Sequence, residues 1–229
     1  MTDTYDQTLG DLVTSNPMTA RVLERHGLDY CCGGRRTLHD ACADAGIEEQ
    51  LVQADLDATD TGLPGDWTEL DPAALAQHIV ETHHRYLHEE LPLLDALAEK
   101  VLGAHERRHP ELGDVRKLVA AIRADLEPHL MKEERVLFPA ITALAGGQRE
   151  FGFGSVANPI GMMGIEHDQV GQLLAELRAV SHGYEIPADA CASYRSLYER
   201  LGALEADTHE HIHKENNVLF PAAIALAST

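Results

Sequence analysis

The hydrophobic and polar positions along this chain predict helices and almost no strand. No segment keeps the period-two alternation of a half-buried strand, and no Asn-Gly hairpin turn is present. Capping side chains stand directly before proline at Asn16, Asp71 and Asn158, where first helical turns are expected. The pattern therefore predicts an all-α protein. We expect short helices near 17–26, 38–45 and 48–57, and longer ones at roughly 72–104, 111–145, 160–181 and 188–227.

These helices fall into two groups. We expect a small helical module at 1–60, a linker at 61–70, and a four-helix bundle at 71–229. A loop with four glycines, from Gly146 to Asn158, separates the second long helix from the third. Two helical hairpins joined by a long loop are typical of a bundle. The module can bury little surface alone, so we expect it to pack against the bundle.

The bundle contains an internal repeat. The thirteen residues that begin at His129 match the thirteen that begin at His211 in eight positions, at an offset of 82. Both copies start with His-x-x-x-Glu and continue to Val-Leu-Phe-Pro. Upstream, His84 and His167 lie at nearly the same offset, 83. The bundle therefore resembles two related halves that face each other.

Each copy places a histidine and a glutamate on one helix face, because residues four apart lie one turn apart. In the first copy this face continues with Val136, Leu137 and Ala140, so it is expected to face the core. Burying a carboxylate without a partner costs several kcal/mol. Two inward His–Glu pairs therefore predict a metal site. The candidate ligands are His129, Glu133, His211 and Glu215.

The ligand types indicate which metal is expected. Imidazole and carboxylate ligands without cysteine favour iron or manganese over thiolate-rich zinc. Two carboxylates, one from each half, are suited to bridge two ions about 3.5–4 Å apart. Upstream, His83 and His84 are both candidate ligands, and His88 lies one turn further along the helix. We expect His209 and His213 to lie outside, and the remaining histidines to be at the surface. These are His26, His39, His105, His109 and His182.

The adjacent pair Cys31 and Cys32, followed by two glycines, is a second chemical feature. Adjacent cysteines pair only with strained geometry, so a resting disulfide is not expected. The two thiols either fill space or act chemically, by relaying electrons, holding iron in transit or exchanging disulfides. We expect the single residues Cys42 and Cys191 to fill the core.

Charge and composition narrow the class of protein. The 38 acidic residues outnumber the 18 basic ones, giving a net charge of −20 that disfavours nucleic-acid and anionic membrane partners. The first six residues lack the features of a signal peptide, and no apolar run approaches the ~18 residues that span a bilayer. A cytoplasmic protein is expected.

The sequence resembles the Repair of Iron Centers (RIC) family of hemerythrin-like di-iron proteins. The features that carry the resemblance are Asp29-Tyr30-Cys31-Cys32-Gly33-Gly34, the two His-x-x-x-Glu motifs with their Leu-Phe-Pro tails, and the segments around His84 and His167. The resemblance covers almost the whole chain and implies a hemerythrin-like bundle. It further implies two non-haem iron ions with an oxo or hydroxo bridge. The implied terminal ligands are His84, His129, His167 and His211, and the implied bridges are Glu133 and Glu215.

The resemblance also implies repair of iron–sulfur clusters damaged by nitric oxide or oxidants, with iron donated from partly exposed bridging carboxylates. One alternative is reduction of nitric oxide at the ferrous centre. Another is an oxygen or nitric oxide sensor or carrier, although such carriers lack the Cys-Cys module. The expected partners are damaged iron–sulfur proteins and the small ligands nitric oxide and oxygen, with the chain as a monomer or homodimer.

Overall fold

The structure, a computed structural model, describes residues 6–59 and 66–228. Within these ranges every regular element is a helix, and one isolated β-bridge pairs Thr8 with Thr37. The predicted all-α fold, with a bundle and a small N-terminal module, is confirmed. The first half of the predicted linker lies outside the described residues.

Four short helices form the N-terminal module. They are α1 (Leu9–Ser15), α2 (Ala20–Arg25), α3 (Leu38–Ala45) and α4 (Glu49–Asp57). Helix α1 was not predicted, although Thr8 caps it through a hydrogen bond from the Asp11 amide. Thr37 caps α3 in the same way, and Gly46 ends α3 in the left-handed conformation that glycine adopts without strain.

Four long helices form the bundle, and three of them contain a π turn. Helix α5 consists of Pro72–Ile79, the π turn Val80–His84 and Arg85–His105. Helix α6 consists of Leu112–Lys132, the π turn Glu133–Leu137 and Phe138–Ala145. Helix α7 is Ala157–Val180, and α8 consists of Ala192–Lys214, the π turn Glu215–Leu219 and Phe220–Ala227.

The capping predictions hold at two of three prolines. Asp71 accepts a hydrogen bond from the Ala74 amide at the start of α5. Asn16 caps a short 3₁₀ turn, Pro17–Thr19, that leads into α2. The prediction for Asn158 is wrong, because α7 begins at Ala157 and the Asn158 side chain donates to the Phe153 carbonyl instead.

The π turns change which side chains face the core. One extra residue in a turn rotates the following side chains by about 100° relative to a regular helix. The prediction that Val136 faces inward is therefore wrong: its side chain is 45% exposed, whereas Leu137 and Phe138 are buried. Nothing in the hydrophobic pattern indicated this shift.

The apolar interior of the bundle is divided into two clusters. One cluster contains Leu87, Leu126 and Leu204, and the other contains Ile79, Leu137 and Leu219. Each fully buried leucine contributes about 1.5–3 kcal/mol. Along each bundle helix, buried histidine or glutamate side chains lie between these two clusters. Apolar packing on both sides therefore excludes water from these polar groups.

The module packs on α8, as expected. Ile212 belongs to the core of the module, and Asn217 Nδ2 donates to the carbonyls of Tyr30 and Cys31 at 3.2 Å each. The approach is close: a Cβ added to Gly34 would lie 2.4 Å from Asn217 Oδ1. Glycine at position 34 is thus required for this contact.

Candidate metal centre

Six buried polar side chains meet inside the bundle. His84 ends the π turn of α5, Glu133 and Glu215 begin those of α6 and α8, and the remaining histidines lie on α6, α7 and α8. Their exposed fractions are 0–2%: His84, His129, Glu133, His167, His211 and Glu215. The structure thus brings together all six predicted ligands. The expectation of partly exposed bridging carboxylates is wrong, because Glu133 and Glu215 are both 0% exposed.

The six residues form two overlapping groups whose ligand atoms lie within 4.8 Å of one another. The first group pairs His84 with His211: His84 Nε2 is 3.4 Å from Glu133 Oε2, and His211 Nε2 is 3.1 Å from Glu215 Oε1. Both glutamates belong also to the second group.

The second group pairs His129 with His167. His129 Nε2 lies 3.3 Å from Glu133 Oε2, and His167 Nε2 lies 3.1 Å from Glu215 Oε2. Each glutamate therefore contacts one histidine of each pair. This sharing is the arrangement that two bridging carboxylates require.

Hydrogen bonds outside the centre orient three of the four imidazoles. His84 Nδ1 pairs with Glu134 Oε1 at 3.0 Å, and His129 Nδ1 pairs with Glu166 Oε2 at 2.9 Å. His167 Nδ1 donates to Asn216 Oδ1 at 3.0 Å. With the proton on Nδ1, the lone pair of each Nε2 points into the centre. The sequence pattern does not indicate these partners, although each is adjacent in sequence to a predicted ligand.

The donor set fits a cation. His84 and His211 face each other through Nε2 atoms 3.3 Å apart, and His129 and His167 do so at 3.2 Å. Two unprotonated nitrogens at these distances repel each other, and a cation that accepts both lone pairs removes this repulsion. Among the described residues, neither oxygen of Glu133 has a hydrogen-bond partner. Buried carboxylates without hydrogen bonds require a compensating positive charge.

Charge coupling in the centre is strong. Burial lowers the pKa of His129, but the nearby Glu133 carboxylate outweighs burial and raises that pKa to about 9. Burial disfavours a charged Glu215, yet His211 and His167 hold its pKa well below the usual range. Burial lowers the pKa of His211. The carboxylates are thus held in the ionised form that binds metal.

His83, the alternative to His84, does not enter either group. Its Nδ1 is 2.9 Å from Asp207 Oδ1, and its Nε2 is 2.8 Å from Lys214 Nζ. Its ring stacks on His211 with centroids 5.4 Å apart. His88 is half exposed and pairs with Glu134. His83 and His88 therefore surround the centre without pointing into it.

Several residues outside the centre differ from expectation. His213 was expected outside but is 0% exposed, because Thr14 and Tyr30 of the module cover it. His105, expected at the surface, is buried against Tyr194. Cys191, expected in the core, is exposed at the start of α8. Cys42 is buried as expected, and His209 belongs to neither group.

The two adjacent cysteines are free thiols at the seam between module and bundle. Cys31 is buried and Cys32 is half buried, with Sγ atoms 3.8 Å apart. The hydrogen bond to Cys32, burial and the Asp29 carboxylate raise the pKa of the Cys31 thiol well above its ordinary value. Asn216 donates to the Cys31 carbonyl at 3.3 Å and also accepts from His167. One amide side chain thus connects the cysteine loop to the buried centre.

The fold and the site define a hemerythrin-like cation-binding bundle. Residues 75–223 match the hemerythrin HHE cation binding domain, which contributes the four long helices and all six buried residues. Residues 5–60 match the ScdA_N family, described as a domain of unknown function (DUF542).

Similarity to characterised proteins extends over nearly the full chain. The chain is 34% identical over 221 residues to the iron–sulfur cluster repair protein YtfE of Salmonella schwarzengrund, covering 96% of this chain and 97% of that protein. The YtfE proteins of Cronobacter sakazakii and Escherichia coli O17:K52:H18 match with the same identity and coverage. The chain therefore belongs to the YtfE family of hemerythrin-like proteins, and the family resemblance found in the sequence is confirmed.

In the described part of the chain, no helix is both long enough and apolar enough to cross a bilayer.

Proposed function

We propose that this protein repairs iron–sulfur clusters damaged by nitrosative or oxidative stress, using iron held at the buried His–Glu centre. The observation that carries the proposal is the pair of overlapping ligand groups that share Glu133 and Glu215. The full-length similarity to iron–sulfur cluster repair proteins supports the same function. It favours repair over the two alternatives, nitric oxide reduction and oxygen or nitric oxide carriage.

The proposed centre holds two iron ions. One ion is assigned to His84 and His211, the other to His129 and His167, and Glu133 and Glu215 bridge them. Bound iron would supply redox chemistry and coordination positions for exchangeable ligands. An oxo or hydroxo bridge would be one of these ligands. The assignment rests on the distances within each group and on the carboxylate oxygens that lack hydrogen-bond partners.

The protein itself contributes orientation and charge. Glu134, Glu166 and Asn216 hold three imidazoles with Nε2 inward, which reduces the reorganisation needed to bind an ion. Two ionised carboxylates neutralise part of the metal charge in an interior that excludes water. Because both bridges are fully buried, release of iron requires the bundle or the overlying module to move.

Cys31 and Cys32 are proposed to act in the transfer of iron or electrons between the centre and a damaged client. Their position supports this role, since Asn216 links their loop to the ligand His167. Damaged iron–sulfur proteins are the proposed partners, with nitric oxide and oxygen as small ligands. A cytoplasmic location and a monomeric or homodimeric state stay predictions.

A repair assay with purified components tests the function. Iron-loaded protein is incubated anaerobically, with sulfide and a thiol reductant supplied, with an iron–sulfur protein whose cluster has been destroyed by nitric oxide. We expect the client to regain its visible absorbance and activity while the repair protein loses iron. The Glu133→Ala variant should fail, whereas Glu127→Ala, which removes a half-exposed glutamate of the same helix that pairs with Arg123, should work normally. Restoration at equal rates by both variants, or none by the wild type, would contradict the proposal.

A further inference from the structure

The loop that contains the two cysteines has the geometry of a metal site of its own. The ligand atoms of Asp29, Cys31 and Cys32 all lie within 4.8 Å of one another, separate from the His–Glu centre. Two thiolates on one tetrahedral ion, with metal–sulfur distances of about 2.3 Å, lie about 3.8 Å apart. The Sγ atoms of Cys31 and Cys32 are 3.8 Å apart. The two thiols therefore already occupy one edge of a tetrahedral coordination site.

Asp29 supplies a third ligand atom on the same side. Its Oδ1 lies 3.2 Å from Cys31 Sγ, close to the about 3.5 Å expected between oxygen and sulfur ligands of one tetrahedral ion. The carboxylate accepts hydrogen bonds from the amides of Cys31, Cys32 and Gly33 at 2.9–3.0 Å. These bonds fix the turn that places both thiols beside it, so the ligand set is preorganised.

The surroundings favour a cation. Asp29, Cys31 and Cys32 line a cavity of about 390 Å³ between the module and helices α7 and α8. Carboxylates of Glu24, Asp168 and Glu205 line the same cavity, and Arg178, which also lines it, pairs with Glu205. The carboxylates outnumber this one cation. A fourth coordination position would therefore open into an acidic space, where solvent or a thiolate of a client could reach the ion.

We infer that Asp29, Cys31 and Cys32 form a third metal site that takes a thiophilic divalent cation, ferrous ion in the repair reaction. On binding, both thiol protons leave to solvent and the ion takes two thiolates and one carboxylate, with no change of oxidation state. The inference deepens the proposed function and rests on it only for the identity of the ion. The site lies between the buried centre and the cavity that a client can reach. Asn216 connects the cysteine loop to the buried centre.

Cobalt(II) binding to the full-length protein, loaded with two iron ions per chain so that the His–Glu centre is filled and the loop is free, tests the site. Because the His–Glu centre has no sulfur ligand, a thiolate-to-cobalt charge-transfer band reports binding to cysteine and not to that centre. We expect one equivalent of cobalt to bind with this band and with the intense d–d bands of tetrahedral cobalt. No thiolate band in the iron-loaded wild type would overturn the inference, and this measurement needs no variant.

Variants locate the ligands. The double variant Cys31→Ser, Cys32→Ser should lose the thiolate band, and Asp29→Asn should weaken cobalt binding by on the order of ten- to a hundredfold. Asparagine preserves the oxygen that accepts from the amides of Cys31 and Cys32 and gives up only the oxygen that accepts from the Gly33 amide. The matched control is Cys191→Ser, which removes an exposed thiol outside the loop and should bind cobalt normally. Circular dichroism and iron content verify that each variant is folded. A thiolate band in the double variant, or its loss in the control, would contradict the assignment.

The repair assay separates this inference from the proposed function. If the wild type binds no cobalt at the loop but restores damaged clusters, the third site is wrong and the repair function stands. If it binds cobalt through thiolates but restores no cluster, the site stands and the repair function is wrong.

Discussion

The two copies of the His-x-x-x-Glu motif have the same ligands but different surroundings. In the first copy Met131 is 41% exposed and the Lys132 side chain 46% exposed. The corresponding residues of the second copy, His213 and Lys214, are 0% and 3% exposed. The N-terminal module covers His213 through Thr14 and Tyr30, whereas Lys214 lies against His83 and the Trp67 ring. Metal binding thus explains what the copies share, and these neighbours of the second copy explain how they differ.

The residue that follows each glutamate also differs between the two copies in what it contacts. Glu134 pairs with His84 and His88, all within the bundle. Its counterpart Asn216 accepts from His167 and also donates to the Cys31 carbonyl. An amide can accept and donate at once, whereas a carboxylate can only accept. The second copy can therefore orient a ligand and hold the cysteine loop with one side chain.

The largest effect is expected at the shared glutamates. Replacing Glu133 or Glu215 by Ala removes a carboxylate from both ligand groups, so each variant should lose at least one metal ion per chain. Iron analysis after purification under identical conditions measures this. The Glu127→Ala variant should retain its iron. A loss in only one glutamate variant would show that the two copies are unequal at the centre itself.

A smaller effect is expected at the outer partners. Glu134→Ala and Asn216→Ala should each weaken iron binding by about ten- to a hundredfold, because each frees one imidazole. Competition with a chelator gives the affinities. Only Asn216→Ala should also increase hydrogen exchange in the cysteine loop, since Glu134 has no contact there. Equal exchange in both variants would remove the proposed link between loop and centre.

An effect on stability rather than on metal binding is expected at the two lysines. Lys214 is buried against His83 Nε2 at 2.8 Å and Glu210 Oε1 at 2.9 Å. Its replacement by Met should cost about 1–3 kcal/mol, because a buried polar group loses its partner. Lys132→Met breaks a partly exposed pair with Glu166, which keeps its contact with His129, and should cost less than about 1 kcal/mol. Urea denaturation of the iron-loaded proteins compares them, and equal losses would contradict the difference in burial.

The sequence revealed the ligands better than their surroundings, for a physical reason. Four-residue spacing places His129 and Glu133 on one face whatever packs around them. The sequence pattern does not indicate the π turns, because one extra residue in a turn does not change the local amino-acid composition. Burial of His213 depends on a module far away in sequence, and Cys191 is exposed because the chain enters α8 there. Hydrogen-bond partners of the ligands, such as Asn216, can be recognised only in the folded protein, where separate helices bring the two residues together.

The most direct test of the account is Mössbauer spectroscopy with metal analysis on protein purified anaerobically from ⁵⁷Fe-grown cells. The shared carboxylates predict about two iron ions per chain, with antiferromagnetic coupling in the oxidised protein. A purified, metal-replete protein that holds a single ion, uncoupled iron or only zinc would contradict the di-iron centre.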